Sequence, residues 1–176
     1  MASGTRIWTV GHGAASAVAL VGLLEAAGIE TVVDVRRFPG SRRHPYFGRE
    51  AMAAWLAAAG LDYRWMEDLG GRRPVRSESP NVALRNLQFR AYADHMSSSE
   101  FAGAVDGLLD VARASPSAVM CSESVWWRCH RRLLADHLVL IEGVDVAHVF
   151  HDGRITAHPI TPGARRVGRI VVYDVA

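Results

Sequence analysis

Short β-branched runs alternate along this chain with longer stretches whose apolar residues recur every three or four positions. Residues 6–10 (RIWTV), 31–35 (TVVDV), 117–121 (SAVMC), 146–150 (VAHVF) and 169–173 (RIVVY) predict strands, and residues 61–65 (LDYRW) offer another. Residues 16–27 place Ala17, Leu20, Val21 and Leu24 on one helical face, with Gly28 as the C-terminal stop. Residues 49–59 are Ala-rich and helical up to Gly60, and residues 86–96 also read as a helix. Ser97 and Glu100 have capping-box spacing ahead of a helix with Phe101, Val105, Leu108, Leu109 and Ala112 on one face. A further helix is expected from about Trp127 to Leu140. Residues 67–83 carry Gly70, Gly71, Pro74 and Pro80 and read as a loop, long enough to be of functional interest.

Strands alternating with helices predict an α/β fold: a mainly parallel sheet with helices on both faces. The 176 residues suffice for one domain with a full core, and no repeat or low-complexity linker divides residues 1–176. The pattern does not give the strand order. In such sheets ligands bind beyond the carboxyl ends of the strands. Three polar segments leave predicted strands at that edge: Gly11-His12-Gly13, residues 34–41 and residues 121–131.

No apolar run approaches the roughly 20 residues that cross a bilayer. Residues 1–6 do not read as a signal peptide, so a cytoplasmic location is expected. A net charge of +2 does not by itself call for a nucleic-acid partner. The distribution adds more, because all 20 basic residues are Arg. A GC-rich coding bias explains that composition, and so does a need for planar donors facing phosphate or carboxylate. Arg36, Arg37, Arg42, Arg43 and Arg49 crowd one segment, and Arg72, Arg73 and Arg76 another.

Two cysteines, Cys121 and Cys129, do not make a disulfide scaffold. Buried inert thiols are the ordinary reading of such residues. Cys129 fits it poorly, since Arg128, His130, Arg131 and Arg132 surround it. Cations and a helix N-terminus stabilise a thiolate. His130 can act as a base, and Glu123 can orient a donor or accept a proton. Cys121, Cys129 and His130 also supply three possible metal ligands, though without zinc-finger spacing. The spacing misses a Cys-x5-Arg phosphate-binding loop as well, because the first Arg after Cys121 is Arg128. Asp34 and Arg36 at a strand end suit a polar clamp, or an internal ion pair. His12 sits in a short Gly-His-Gly turn that can cradle an anion or be purely structural. The five Trp, with Trp126 beside Trp127, suit either base stacking or core packing.

Taken in order, Thr9-Val10-Gly11-His12, Val33-Asp34-Val35-Arg36 with Pro39 and Ser41, Leu69-Gly70-Gly71, Phe89, Tyr92, Cys121-x-Glu123 and Cys129-His130-Arg131 resemble the domain-of-unknown-function family 488. The resemblance runs to about Phe150, and Gly13 departs from the Ser common there. It implies an α/β domain with the Cys-x-Glu and Cys-His-Arg elements near the site, and no reaction.

The leading expectation is a thiol-dependent enzyme, a hydrolase or transferase, acting on an anionic small molecule, nucleotide or nucleic acid. Cys129 is the expected nucleophile or redox thiol, with Cys121 as its resolving partner and His130 and Glu123 handling protons. Arg36 and Arg131, with His12 and Asp34, are the expected substrate-binding residues. No cofactor and no metal are expected. The alternatives are a non-catalytic module binding nucleic acid through Arg and Trp, and a metal-binding domain.

Overall fold

The computed structural model describes residues 4–175. Strands β1 (Arg6–Gly11), β2 (Thr31–Asp34), β3 (Asp62–Trp65), β4 (Ser117–Cys121), β5 (Asp145–Val149) and β6 (Ile155–Ala157) form one sheet in the order β3-β2-β4-β1-β5-β6. Every pairing is parallel except that of β6 with β5. Helices α1 (Ala17–Ala26), α2 (Arg49–Ala58), α3 (Leu87–His95), α4 (Ser99–Ala114) and α5 (Arg131–Leu140) connect the strands. The α/β fold with helices on both faces is therefore as the sequence pattern predicts. Among the described residues, no helix is long and apolar enough to cross a membrane.

Both faces of the sheet are apolar because the central strands are apolar at consecutive positions. Val32, Ala118 and Met120 pack on one side with Leu20, Leu24, Met52 and Leu56 of α1 and α2. Val33, Val119 and Cys121 point to the other side, among Phe101, Leu108, Leu134 and Leu138 of α4 and α5. Each Val, Leu, Met or Phe among them, fully buried, contributes roughly 1.5–3 kcal/mol. Cys121 thus belongs by strand alternation to the face that α5 covers.

Two local expectations are corrected, and the last expected strand is given its place. Residues 126–128 form a separate 3-10 turn, and α5 begins only at Arg131, so Cys129 precedes the helix in an extended conformation. Ser98, not Ser97, caps α4, its hydroxyl accepting from the Phe101 N–H. The last apolar run is not in the main sheet. It forms β8 (Ile170–Tyr173), which pairs antiparallel with β7 (Ala164–Val167) and packs on α3 and α5.

The topology creates the site. From β1 the chain crosses by α1 over one face to β2, whereas from β4 it crosses by α5 over the other face to β5. Because β1 and β4 are neighbours, with Gly11 opposite Cys121, the chain leaves their carboxyl ends in opposite directions. That divergence opens a crevice of the kind that binds ligands in parallel sheets.

Candidate active site

The three segments singled out at the strand ends converge on one cavity of about 350 Å³. His12, Arg36, Cys121, Glu123, Cys129 and His130 all line it. Asp34 and Arg131 do not, and stand behind it. The loops after β1 and β4 are tied together: the His12 N–H donates to the Cys121 carbonyl at 2.9 Å and the Gly13 N–H to the Ser122 carbonyl at 2.9 Å. Their approach leaves no space for a side chain at Gly11, where a Cβ would meet the Glu123 carbonyl oxygen at 1.7 Å and Arg131 Nη2 at 2.7 Å.

The two cysteines and His130 cluster on one wall of the cavity. Cys121 and Cys129 are 7% and 4% exposed, more buried than the partial exposure expected of an activated thiol. Their sulfurs and a His130 ring nitrogen lie within 4.8 Å of one another. His130 Nδ1 is 3.8 Å from Cys121 Sγ and 3.7 Å from Cys129 Sγ. Tyr92 stands edge-on to the His130 ring, and a Cβ on Gly71 would come within 3.0 Å of Nδ1, so the ring is held from both sides.

Arg131 distinguishes the two thiols. Its guanidinium is 1% exposed, and its Nε–H donates to Cys129 Sγ at 3.4 Å. Its backbone N–H donates to the same sulfur at 3.5 Å. Its other bonds go to Thr9 Oγ1 and to the Glu123 carbonyl, so none of its partners is a carboxylate. A buried cation without a counter-ion costs several kcal/mol. An ionised Cys129 supplies that counter-ion. Burial pushes the Cys129 thiol up, but the hydrogen bond with Cys121 and the charge and N–H groups of Arg131 outweigh it and hold it below the usual range. The same bond with Cys129, followed by burial, pushes Cys121 up. The two thiols are thus set apart, Cys129 shifted down and Cys121 shifted up. Arg131 directs two N–H groups at the Cys129 sulfur and does not line the cavity, where the sequence reading placed it as a substrate-binding residue.

Behind the opposite wall, Asp34 accepts from the Arg36 Nε–H at 2.9 Å, its Nη2–H at 2.7 Å and the Tyr63 hydroxyl at 2.5 Å. This orients the Arg36 guanidinium, whose Nη1–H donates to His12 Nε2 at 3.3 Å. His12 donates from Nδ1 to the Gly13 carbonyl at 2.8 Å and stacks on Phe47. Burial lowers its pKa to about 4, so it is a neutral prop for Arg36.

Several cavity residues were not among the sequence expectations. Arg37, Arg72 and Arg128 line the mouth, with Phe38 on the rim at 62% exposure. Arg37 Nη1–H donates to the Arg72 carbonyl at 2.8 Å, across the loop that the Gly and Pro content announced. Arg72 takes a positive φ of 56°, uncommon for a side chain of its size. Gln88, Phe89 and Tyr92 of α3 complete that wall. The Arg clusters were legible, but their convergence depends on tertiary structure. The Trp residues are mostly engaged internally. Trp55 and Trp65 donate to the Tyr46 and Arg36 carbonyls, and Trp126 stacks on His148. Trp8 packs against the core, leaving Trp127, 45% exposed, as the one open to a base.

The donor set does not suit a structural metal. Cys121, Cys129 and His130 supply three ligands among the described residues, one short of a closed tetrahedral site. The Arg131 Nε–H also occupies the Cys129 sulfur to which a cation would bind.

Fold and site together define an α/β domain with a strand-end pocket built around an asymmetric cysteine pair. The chain belongs to the domain of unknown function DUF488 family, whose pattern matches residues 16–138. The match takes in the Asp34–Arg36 clamp, both cysteines, His130 and Arg131, and leaves out β1 and everything after Leu138. No curated protein and no solved structure matches the chain.

Proposed function

We propose that this chain is a thiol-dependent enzyme, a hydrolase or transferase, acting on an anionic substrate such as a nucleotide or nucleic acid. The buried Arg131 guanidinium carries the reading: it has no carboxylate partner and aims its Nε–H at Cys129 Sγ. A structural thiol needs no such cation, whereas a nucleophile does.

The Cys129 thiolate attacks an electrophilic centre of the substrate. A bond to Sγ forms, and the bond to the leaving group breaks with its electron pair on the leaving group. That group takes the proton of the Cys121 thiol, passed on by His130 Nδ1, which lies 3.8 Å from Cys121 Sγ. Water or an acceptor hydroxyl then attacks the same centre and releases the Cys129 thiolate, and its proton returns through His130 Nδ1 to Cys121. Glu123, exposed at the mouth, is the second proton carrier. Arg36, Arg37, Arg72 and Arg128 hold the anionic group. A nucleic-acid-binding module without chemistry has less support, since only Trp127 among the five Trp is exposed.

The test is protection of Cys129 from alkylation. Inorganic phosphate, a nucleoside monophosphate and a short single-stranded oligonucleotide are each titrated at low and high salt. At least one is expected to slow the labelling of Cys129, and protection should weaken with salt as counterion release demands. Failure of all three removes the anionic substrate from this reading.

A further inference from the structure

Deep to Arg131, a line of buried polar side chains runs to Asp136 in the middle of α5. Thr9 Oγ1 is 2.6 Å from His148 Nδ1, His148 Nε2 is 2.9 Å from His158 Nδ1, and His158 Nε2 is 2.8 Å from Asp136 Oδ1. Asp136 also accepts from the Thr161 N–H at 2.9 Å and the Tyr173 hydroxyl at 2.8 Å. At the other end Thr9 Oγ1 accepts from Arg131 Nη1–H at 3.4 Å, and Arg131 Nε–H reaches Cys129 Sγ. Trp126 stacks face to face on His148 with ring centroids 4.3 Å apart and meets His158 edge-on. Thr9, Asp136 and His148 are all buried.

The protons in this line are fixed by its ends. The Asp136 carboxylate accepts, so His158 donates from Nε2, and its Nδ1 is left to accept from His148 Nε2–H. His148 Nδ1 then accepts the Thr9 hydroxyl proton, and the Thr9 lone pairs face Arg131. The reverse arrangement would need a charged His158 and would leave the buried Thr9 hydroxyl proton with no acceptor. Burial, with the nearby His158 and Arg131, lowers the His148 pKa to about 3, which agrees with a neutral ring. All the bonds point one way, from the cation to the carboxylate, and aligned bonds of this kind reinforce one another.

We propose that Asp136, His158, His148 and Thr9 are positioning residues: a directed hydrogen-bond relay that locks the Arg131 guanidinium against the Cys129 sulfur and so sets the charge state of the nucleophile. The proposal rests on the reading of Cys129 as a thiolate. It extends the functional unit beyond the matched family segment, to strand β1 and to two histidines near the C-terminus. The relay is closed to solvent and touches no substrate, so its effect passes entirely through Arg131. The other titratable groups beside Cys129 are Cys121 from β4, the adjacent His130 and Tyr92 from α3, while Arg36, Arg37, Arg72, Glu123 and Arg128 line the same cavity; none is hydrogen-bonded to the relay.

The experiment follows the iodoacetamide labelling rate of Cys129 against pH in the full chain and in Thr9→Val, Thr9→Ser and Asp136→Asn. Thr9→Val keeps the shape but removes the hydroxyl that holds Arg131. The pH midpoint is expected to move up by about one unit, the size of a lost bond to a charged group, so that labelling well below the wild-type midpoint slows about tenfold. Thr9→Ser should return both towards the wild type, which a purely structural role for the residue would not require. Asp136→Asn should shift the midpoint in the same direction. Nitrogen-15 spectra of the unmutated protein give a second readout that needs no variant: at neutral pH both His148 and His158 should carry their proton on Nε2. A Nδ1–H form of either ring overturns the relay. So does an unchanged labelling midpoint in folded Thr9→Val and Asp136→Asn, while the thiolate reading survives. If the wild-type Cys129 itself shows no lowered midpoint, the thiolate reading fails and the relay with it.

Discussion

His130 Nε2 lies 3.2 Å from the carbonyl oxygen of Val35, which has no proton to give, so this nitrogen carries the hydrogen. Nδ1 then faces both sulfurs, 3.8 Å from Cys121 Sγ and 3.7 Å from Cys129 Sγ. Arg131, by contrast, presents two N–H groups to Cys129 alone. The two residues should thus be separable. Arg131→Met, which keeps the bulk and removes the charge, is expected to raise the alkylation midpoint of Cys129 by about one unit or more. His130→Ala is expected to move it less. Equal shifts, or a larger one for His130→Ala, would make His130 the source of the thiolate.

Acid should unfold the protein through its buried histidines. Burial lowers the pKa of His12 and of His137 to about 4, and that of His148 to about 3. In the unfolded chain these rings bind protons near 6.5, before the folded rings do. Their contribution is therefore complete above about pH 6.5 and is lost as pH falls towards the folded values. Each can cost up to about 1.4 kcal/mol per pH unit in that window. Urea denaturation from pH 8 to pH 5 checks this, and a stability that stays flat between pH 6.5 and 5 contradicts it.

Gly11→Ala should disturb the site more than the fold. The added Cβ collides with the Glu123 carbonyl and Arg131 Nη2, and neither can retreat without breaking the bond between them. A loss of about 1–3 kcal/mol is expected from such overpacking. The labelling midpoint of Cys129 should rise in step, as Arg131 is displaced. An Ala variant with wild-type stability and labelling would show that the loop after β4 is freer than its contacts imply.

The donor geometry also predicts that the protein, purified without chelators, holds no stoichiometric zinc. Elemental analysis decides the matter. About one zinc per chain would demote the nucleophile and make Cys121, Cys129 and His130 a metal centre.

Much of this arrangement is legible in the sequence, and the remainder is hidden for identifiable reasons. The SAVMC run announces a strand buried on both faces, and the residues that follow it announce the site. Asp34 and Arg36, two apart at a strand end, are an ion pair as their spacing allows. The start of α5 is not legible, because helical periodicity extends back through Trp127 while the local backbone is a 3-10 turn. That shift takes Cys129 out of the helix, yet its sulfur still accepts the N–H of the first helical residue. The setting of Arg131 is equally hidden: an Arg beside a Cys and a His reads as a ligand for substrate, whereas the folded chain buries it with its N–H groups on the Cys129 sulfur. Strands β6 and β7 escape notice because their residues are mostly exposed and lack an apolar pattern. His148 and His158 are separated from Cys129 by at least 19 positions, so no local motif joins them to the site.

The central claim is that Cys129 is a thiolate in the folded protein while its neighbour Cys121 is a thiol. Mass spectrometry of peptides alkylated with iodoacetamide across a pH series measures it directly. Cys129 is expected to label first, with an apparent pKa below the roughly 8.5 of a free cysteine, and Cys121 only at higher pH. The preference should vanish on denaturation, because Arg131 and the buried setting create it. Labelling of Cys121 ahead of Cys129 at neutral pH would contradict the account, as would the absence of any labelling until the chain is unfolded.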